Sequence, residues 1–177
     1  MSNLCTVEHA ETKGRATVTA ANLPPRVEAS DPFRREAAQL LSEMIAEAVS
    51  RYKDVRDVSA PPPTNEPLVA RSVFLIAWIG STPVGCAALR PIELHIAEVR
   101  RMYVRPTFRR HGLARLLLEE LEARAAVFGF RTLRLETGNR QPEAIALYES
   151  TGFRRIPPYG HYVGDPLSIC FEKGVTR

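Results

Sequence analysis

Apolar residues recur at helical spacing after Phe33, which predicts a long first helix. The recurring positions are Ala37, Leu40, Leu41, Met44, Ile45, Ala48 and Tyr52. This helix should end near residues 51–53. Asp31 stands directly before Pro32, an arrangement that places a capping side chain ahead of a proline at the first helical position. We therefore expect the helix to begin at Pro32.

Most of the remaining apolar runs are short and predict β-strands. Two of them, 73–79 and 84–90, flank a Gly-Ser-Thr-Pro sequence at 80–83 that is typical of a hairpin turn. The other predicted strands are 26–30, 97–104, 131–136, 153–156 and 167–172. In the strand at 131–136, Leu133 and Leu135 should point inward.

Two further helices are predicted between these strands. One follows Gly112, presents a leucine-rich face and ends near 128–129, and the other begins at Pro142 and is stopped by Gly152. The leucines expected to be buried are Leu113, Leu117, Leu118 and Leu121. This order of elements indicates an α/β domain with a mixed, largely antiparallel central sheet flanked by helices.

Two segments lack a regular apolar period. Residues 1–23 are small and polar, and we expect them to form a flexible leader ahead of a single domain at 24–177. Residues 59–67 are rich in proline, which removes backbone donors and disfavours both helix and central strand. They are predicted to form a stiff surface loop.

The composition excludes several classes of protein. A chain of 177 residues with 45% hydrophobic content can bury one sizeable core. Cys5, Cys86 and Cys170 are widely spaced and the four histidines show no ligand spacing, so neither a disulfide framework nor a metal site is expected. Cys86 and Cys170 lie in strand-like runs and should be small buried side chains. No apolar signal segment or stretch of transmembrane length is evident, and we expect a soluble, cytoplasmic protein.

The net charge of +4 raises the question of a nucleic-acid partner. The densest basic cluster comprises Arg100, Arg101, Arg105, Arg109, Arg110 and Arg115. No stacking aromatics are interleaved through it as a single-strand platform would require. A site for a phosphate-bearing small molecule accounts for this cluster better, so nucleic-acid binding is the weaker alternative and no nucleic-acid or membrane partner is predicted.

Residues 97–115 carry the most informative pattern, because a strand leads into an arginine-rich turn and then into a helix. Such a junction brings free backbone N–H groups and the positive end of a helix dipole to one point, which favours phosphate binding. Gly112 permits close backbone approach or a positive φ, and Ala114 leaves room for a diphosphate. Arg109, Arg110 and Arg115 add charge and forked donors. The alternative is a solvated arginine cluster at a helix start.

Four motifs in order resemble the GNAT superfamily of N-acetyltransferases, which bind acetyl-coenzyme A. They are the strand at 97–104, the turn at 109–114, the strand at 133–139 and the helix with its exit at 144–153. The resemblance implies the family's fold, in which the fourth and fifth strands splay apart to form the coenzyme site. It also implies an acyltransferase that forms no covalent acyl-enzyme.

The same resemblance assigns residues to the coenzyme. Met102, Tyr103 and Val104 would expose backbone groups to the pantetheine arm, and Asn139 would hydrogen-bond that arm, with a plain turn residue as the alternative. The predicted diphosphate turn comprises Arg109, Arg110, His111, Gly112, Leu113, Ala114 and Arg115. For His111, we expect the backbone to matter more than the imidazole ring in binding the diphosphate.

Two residues are candidates for catalysis by this resemblance. Glu98 would be the general base, directly or through water, and the alternative is a strand-edge glutamate paired with Arg100 or Arg134. Tyr148 would lie near the coenzyme sulfur and protonate the departing thiolate, and the alternative is an ordinary core aromatic. It also stands among the coenzyme-binding residues. Ala144, four residues earlier, shares its helix face.

The predicted activity is transfer of the acetyl group of acetyl-coenzyme A to a primary amine of a small molecule or peptide. A catalytically silent domain that binds coenzyme A as a sensor or interaction module is the alternative. Four residues in the loop before the last strand, Tyr159, His161, Tyr162 and Asp165, could contribute to the acceptor site or simply form a packed turn. The resemblance allows a homodimer, because dimers are common in the superfamily, and it leaves the acceptor open.

Overall fold

A seven-stranded sheet forms the centre of the computed structural model, which describes residues 23–55 and 63–176. The strands are β1 Arg26–Ala29, β2 Val73–Ile79, β3 Thr82–Pro91, β4 Ile96–Val104, β5 Thr132–Gly138, β6 Arg154–Ile156 and β7 Ser168–Gly174. The helices are α1 Arg35–Tyr52, α2 Leu113–Val127 and α3 Pro142–Ser150. The predicted leader and the first part of the proline-rich loop lie outside the described residues, as do Cys5 and His9.

The strand order is β1-β2-β3-β4-β5-β7-β6, and every neighbouring pair is antiparallel except β4 and β5. This confirms the predicted mixed, largely antiparallel sheet. The parallel register of β4 with β5 begins at Ile96 and Thr132 and ends at Val99 and Leu135. Beyond that point the two strands continue without pairing to each other, so the centre of the sheet opens.

Two apolar layers cover the sheet. On one face, the predicted leucines of α2 are buried together with Leu133, Leu135 and Phe171. On the other, α1 buries Ala37 and Leu40 against Phe74 and Cys86. Cys170 is also buried, as predicted. Within the described ranges, no helix combines the length and apolar character needed to cross a membrane.

The start of α1 differs from the prediction. The side chain of Asp31 accepts a hydrogen bond from the backbone N–H of Phe33 at 2.8 Å, and its carbonyl accepts one from Arg34 at 3.1 Å. These bonds close a separate turn, and the helix begins at Arg35 with Arg34 at its N-cap. Asp31 therefore caps the turn that precedes the helix, so the prediction of Pro32 as the first helical residue was wrong.

The hairpin between β2 and β3 is tighter than predicted. β3 begins at Thr82 instead of residue 84, and Pro83 pairs with Trp78 beside an irregularity in the register. Pro83 is tolerated there because a register irregularity does not require its missing N–H.

A β-bulge in β4 lies next to the point where β4 and β5 part. Cys86 pairs with Tyr103 and Ala88 pairs with Arg100, so β4 holds one residue more than β3 between these pairs. Arg101 lies within the bulge with a φ of 56°. Such a bulge twists the strand and redirects its side chains.

Gly85 allows β3 to approach this irregular part of β4. A Cβ atom at Gly85 would lie 2.6 Å from the carbonyl oxygen of Tyr103, which is backbone and cannot rotate away. We expect Gly85→Ala to lower the free energy of unfolding by about 1–3 kcal/mol, measured by urea denaturation. Gly174→Ala is the matched control, because that position lies in β7 with no atom within 4 Å. Equal stability of the two variants would show that the close approach does not matter.

Candidate active site

The turn before α2 leaves the first amides of the helix outside its hydrogen-bond ladder. Gly112 is the N-cap of α2 with a φ of 79°, and Arg110 also has a positive φ of 68°. Leu116 donates to the carbonyl of Gly112 at 3.0 Å, so the amides of Leu113 and Ala114 precede the hydrogen-bonded part of the helix. The helix dipole adds partial positive charge at this place. A Cβ at Gly112 would meet no atom within 4 Å, so the left-handed backbone, and not lack of space, calls for glycine there.

The predicted arginine cluster is divided by the structure. Arg105 forms two hydrogen bonds with Glu43, at 2.7 and 2.8 Å, and Arg109 bonds Glu47 and the carbonyl of Val104. Both glutamates belong to α1, which therefore neutralises part of the charge that sequence alone assigned to phosphate.

These ion pairs keep both glutamates ionised. Hydrogen bonding to Arg105 holds the pKa of Glu43 below its ordinary value. Burial opposes ionisation of Glu47, but the charges and hydrogen bonds of Arg109 and Arg51 outweigh it and also leave its pKa lowered.

Arg110 and Arg115 remain at the turn itself, and both are exposed. Arg115 makes a long contact of 3.3 Å with the hydroxyl of Ser150. His111 is likewise exposed. Two guanidinium groups and the helix amides are therefore arranged around the outer end of the turn.

A cleft of about 680 Å³ runs from this turn into the gap between β4 and β5. Its volume falls within the range of typical small-molecule sites, about 300–1,000 Å³. The predicted residues that line it are Met102, Tyr103, Val104, Arg109, Arg110, Gly112, Leu113, Ala114, Arg115 and Tyr148. Because β4 has lost its pairing with β5 here, one backbone edge of residues 102–104 faces the cleft.

Helix α1 supplies a wall of the cleft that the sequence analysis missed. Met44, Glu47, Ala48 and Arg51 line it, and they follow one another at helical spacing. The helical periodicity that predicted a buried stripe on α1 therefore also includes residues that line the cleft. Sequence alone could not show that the end of the stripe faces a cleft.

Tyr148 lies on α3 at the inner wall of the cleft and is 4% exposed. Its ring packs edge-on against Phe153, with ring centres 5.8 Å apart, and at a tilt against Phe171. Burial raises the pKa of the Tyr148 hydroxyl, and the nearby Glu136 raises it further. The hydroxyl therefore keeps its proton at neutral pH. Ala144 lines the same cleft one turn earlier.

Glu98 is buried in the interior strand β4, in register with Arg90 and Arg134. One carboxylate oxygen accepts hydrogen bonds from the hydroxyls of Tyr159 at 2.9 Å and Tyr162 at 3.0 Å. The other oxygen lies 3.5 Å from Nε of Arg100. The alternative prediction placed Glu98 on a strand edge, which was wrong because β4 is an interior strand. Its predicted pairing with Arg100 is confirmed.

The carboxylate of Glu98 lies one side chain away from the cleft. Among the described residues that line the cleft are its neighbours Val99 and Arg100, but not Glu98 itself. Burial raises the pKa of the Tyr159 and Tyr162 hydroxyls, and the negative charge of Glu98 raises it further. Both hydroxyls therefore donate to the carboxylate. A proton passing between the cleft and Glu98 must therefore be relayed by a tyrosine hydroxyl or by water. Otherwise Arg100 must move so that the carboxylate reaches the cleft.

Two of the residues predicted to bind the coenzyme, His111 and Asn139, do not line the cleft. Asn139 is exposed, its backbone N–H donates to Leu167 at 2.7 Å, and its side chain contacts the carbonyl of Pro166 at 3.4 Å. Gln141 and Glu143 line the cleft beyond it. Its role towards the coenzyme remains a prediction.

The four residues singled out in the loop before β7 make different kinds of contact. Its two tyrosines bind Glu98, whereas Asp165 accepts a hydrogen bond from the backbone N–H of Leu167 at 2.8 Å and closes the turn. His161 is exposed and packs its ring on Tyr162, with ring centres 4.0 Å apart. In the part of the chain that the structure describes, no three His, Cys, Asp or Glu side chains gather as metal ligands.

Comparison with known proteins agrees with this geometry. Residues 39–153 match the acetyltransferase (GNAT) family. A relative in Azospirillum brasilense, named IAA acetyltransferase, is 45% identical over 101 residues, which are 56% of this chain and just under two thirds (66%) of that protein. An uncharacterised N-acetyltransferase of Schizosaccharomyces pombe is 34% identical over 152 residues, covering 82% of this chain and 86% of its own.

Solved structures share the fold. An acyl-CoA N-acyltransferase from Klebsiella pneumoniae superposes with a TM-score of 0.71 at 30% identity, covering 86% of this chain and 98% of the other. The PaiA N-acetyltransferase of Thermoplasma acidophilum, solved in complex with coenzyme A, superposes with a TM-score of 0.65 at 19% identity and covers 86% and 99%. From the opened sheet, the helix-start turn and these matches together, the chain belongs to the GNAT acetyltransferase family and is an acyltransferase.

Proposed function

We propose that this protein, through a single domain at 24–177, transfers the acetyl group of acetyl-coenzyme A to a primary amine by direct attack. The observation that carries the proposal is the cleft of about 680 Å³, which connects the amides at the start of α2 with the gap between β4 and β5. Coenzyme A is bound in the PaiA neighbour, and acetyl-coenzyme A is bound in a GNAT acetyltransferase from Elizabethkingia anophelis (TM-score 0.59, 16% identity, covering 85% and 97%).

The residues of the cleft fit the donor. The amides at the start of α2 and the side chains of Arg110 and Arg115 suit a diphosphate, because backbone N–H groups and guanidinium forks both complement phosphate oxygens. The free edge of Met102, Tyr103 and Val104 offers hydrogen-bonding groups to an amide-containing arm. Acetyl-coenzyme A itself supplies an activated thioester, whose carbon–sulfur bond breaks as the new carbon–nitrogen bond forms.

Proton transfer is assigned to two side chains. The acceptor amine is protonated near neutral pH and must lose a proton before or during attack. Glu98 receives it, through water or Tyr159 and Tyr162, since its carboxylate lies behind the cleft wall. Tyr148 gives a proton to the departing thiolate, and a backbone amide of residues 102–104 polarises the thioester carbonyl.

Charge placed at the start of α2 tests the donor site. Ala114→Glu should raise the dissociation constant of acetyl-coenzyme A by at least about tenfold, measured by calorimetry, because a carboxylate would repel the diphosphate. An acidic residue is favourable in a first helical turn, so the unliganded protein should keep its melting temperature. Ala114→Gln adds the same bulk without charge and should bind more tightly than Ala114→Glu. Wild-type affinity in Ala114→Glu would place the diphosphate elsewhere.

Removal of a single hydroxyl tests the proton donor. Tyr148→Phe keeps the ring that packs on Phe153 and Phe171, and it should lower kcat by about 100-fold with little change in acetyl-coenzyme A affinity. Tyr103→Phe is the control, since Tyr103 lines the same cleft but is assigned only a backbone role. Equal turnover of the Tyr148→Phe variant and the wild type would remove Tyr148 from the mechanism.

The base is tested by an isosteric change at Glu98. Glu98→Gln should lower kcat by about 100-fold or more and flatten the rise of the rate with pH, because the variant cannot accept the amine proton. Glu172→Gln is a matched control, because Glu172 is in register with Arg134 on the same row of the sheet but lies two strands away. A Glu98→Gln enzyme that retained both the turnover and the pH–rate profile would exclude Glu98 as the base.

A further inference from the structure

Three arginine side chains converge on one carboxylate where Arg100 and Arg101 line the cleft. Glu66, from the segment that follows the proline-rich stretch, lies 2.7 Å from Arg100, 3.1 Å from Arg90 and 3.9 Å from Arg101. Arg100 is also 3.5 Å from Glu98. Among these five described side chains there is thus one more guanidinium group than there are carboxylates.

The arginines are held in position by backbone carbonyls. Arg90 donates to Pro67 and Arg101 donates to Thr64, each at 2.8 Å. The segment itself is fixed by Asn65, whose side-chain amide donates to Pro32 at 2.7 Å. Guanidinium groups that are already oriented lose little conformational freedom when they bind an anion.

Arg101 is the least compensated member of this arginine cluster. Its side chain is 14% exposed, and the bulge holds its backbone in the left-handed region. Burial lowers the pKa of Arg101, and the neighbouring charge of Arg100 lowers it further. A bound anion would favour the charged guanidinium and so oppose both effects.

The space for such an anion lies on the cleft side. A separate cavity behind the three arginines measures about 20 Å³, enough for about one water molecule. Its wall includes Asn65, whose buried side-chain oxygen has no hydrogen-bond partner within the described residues. Arg100 and Arg101 also line the large cleft, where there is room for a substrate.

We propose that Arg100 and Arg101 bind a carboxylate of the acceptor, so that the preferred acceptor is a primary amine that also carries a carboxylate. The inference rests on the proposed acetyl transfer and names the substrate class of that same site. Forked guanidinium donors match a carboxylate in geometry as well as charge. A diamine would place a second cation against the guanidinium groups of Arg100 and Arg101 and is disfavoured.

The test uses pairs of primary amines that differ only in a carboxylate or its carboxamide, with spacers of graded length, together with a phosphate-bearing amine and a diamine. Release of coenzyme A should favour the carboxylate of each pair. Arg101→Gln should lower the carboxylate-to-carboxamide ratio of kcat/KM by about ten- to hundredfold. Glu66→Gln should raise that ratio, because it removes a competing negative charge. Opposite changes in the two variants cannot come from a general loss of folding.

Arg155→Gln is the control, since Arg155 is an exposed arginine paired with Glu149 away from the cleft. Titration of glutarate, a carboxylate without an amine, provides a readout that does not depend on catalysis. Binding weakened by Arg101→Gln and strengthened by Glu66→Gln supports the site even when no amine is acetylated. No preference for carboxylates together with no glutarate binding overturns it, as does a stronger response to the phosphate-bearing amine. Failure of every amine to release coenzyme A from a protein that binds acetyl-coenzyme A counts against the proposed activity instead.

Discussion

The separation of β4 from β5 is the constraint on which the site depends. The two strands pair only from Ile96 and Thr132 to Val99 and Leu135, although both continue beyond these residues. Buried backbone groups that lose their partners are costly, so an opened sheet is stable only where something else satisfies them. The β-bulge at Arg101, the close approach of Gly85 on the other side of β4 and the turn before α2 all lie next to the opening. We regard them as one arrangement that keeps a backbone edge available for a ligand.

Charge around the opening is distributed more specifically than the composition indicates. Helix α1 pairs Glu43 with Arg105 and Glu47 with Arg109, and Glu66 pairs with arginines of β3 and β4. Of the six arginines in the predicted cluster, all within the described residues, Arg110 and Arg115 are the exposed ones, and both lie at the helix start. A diphosphate would therefore meet a small number of cations and several oriented amides instead of a broad basic surface.

Local patterns in the sequence were sufficient to predict a mixed, largely antiparallel sheet, the strand positions and the buried leucines of α2. Periodicity and turn residues act over a few positions, so they can be recognised without the packed structure. These patterns failed at one local choice, the turn before α1, and wherever the partner is distant. Asp31 has the composition of a helix cap, but its own side chain and carbonyl close a turn ahead of the helix. Arg105 and Arg109 find their glutamates 62 residues earlier in the chain, and Asn139 bonds to a segment that follows α3. The lining of the cleft by α1 was visible as helical spacing, yet only the packed structure shows that this stripe reaches beyond the core.

The two faces of the sheet differ in the side chains that cover them. The face towards α2 and α3 is closed by leucine and phenylalanine side chains, which are packed and tolerate little change. On the other face, beyond the part that α1 covers, charged residues alternate across five strands in the order Arg90, Glu98, Arg134, Glu172, Arg154. A buried carboxylate needs partners on all sides, and the row places arginines beside Glu98 while the loop before β7 adds two tyrosine hydroxyls. The segments that lie over this face hold charged contacts, whereas other residues build the apolar layer and the turn before α2.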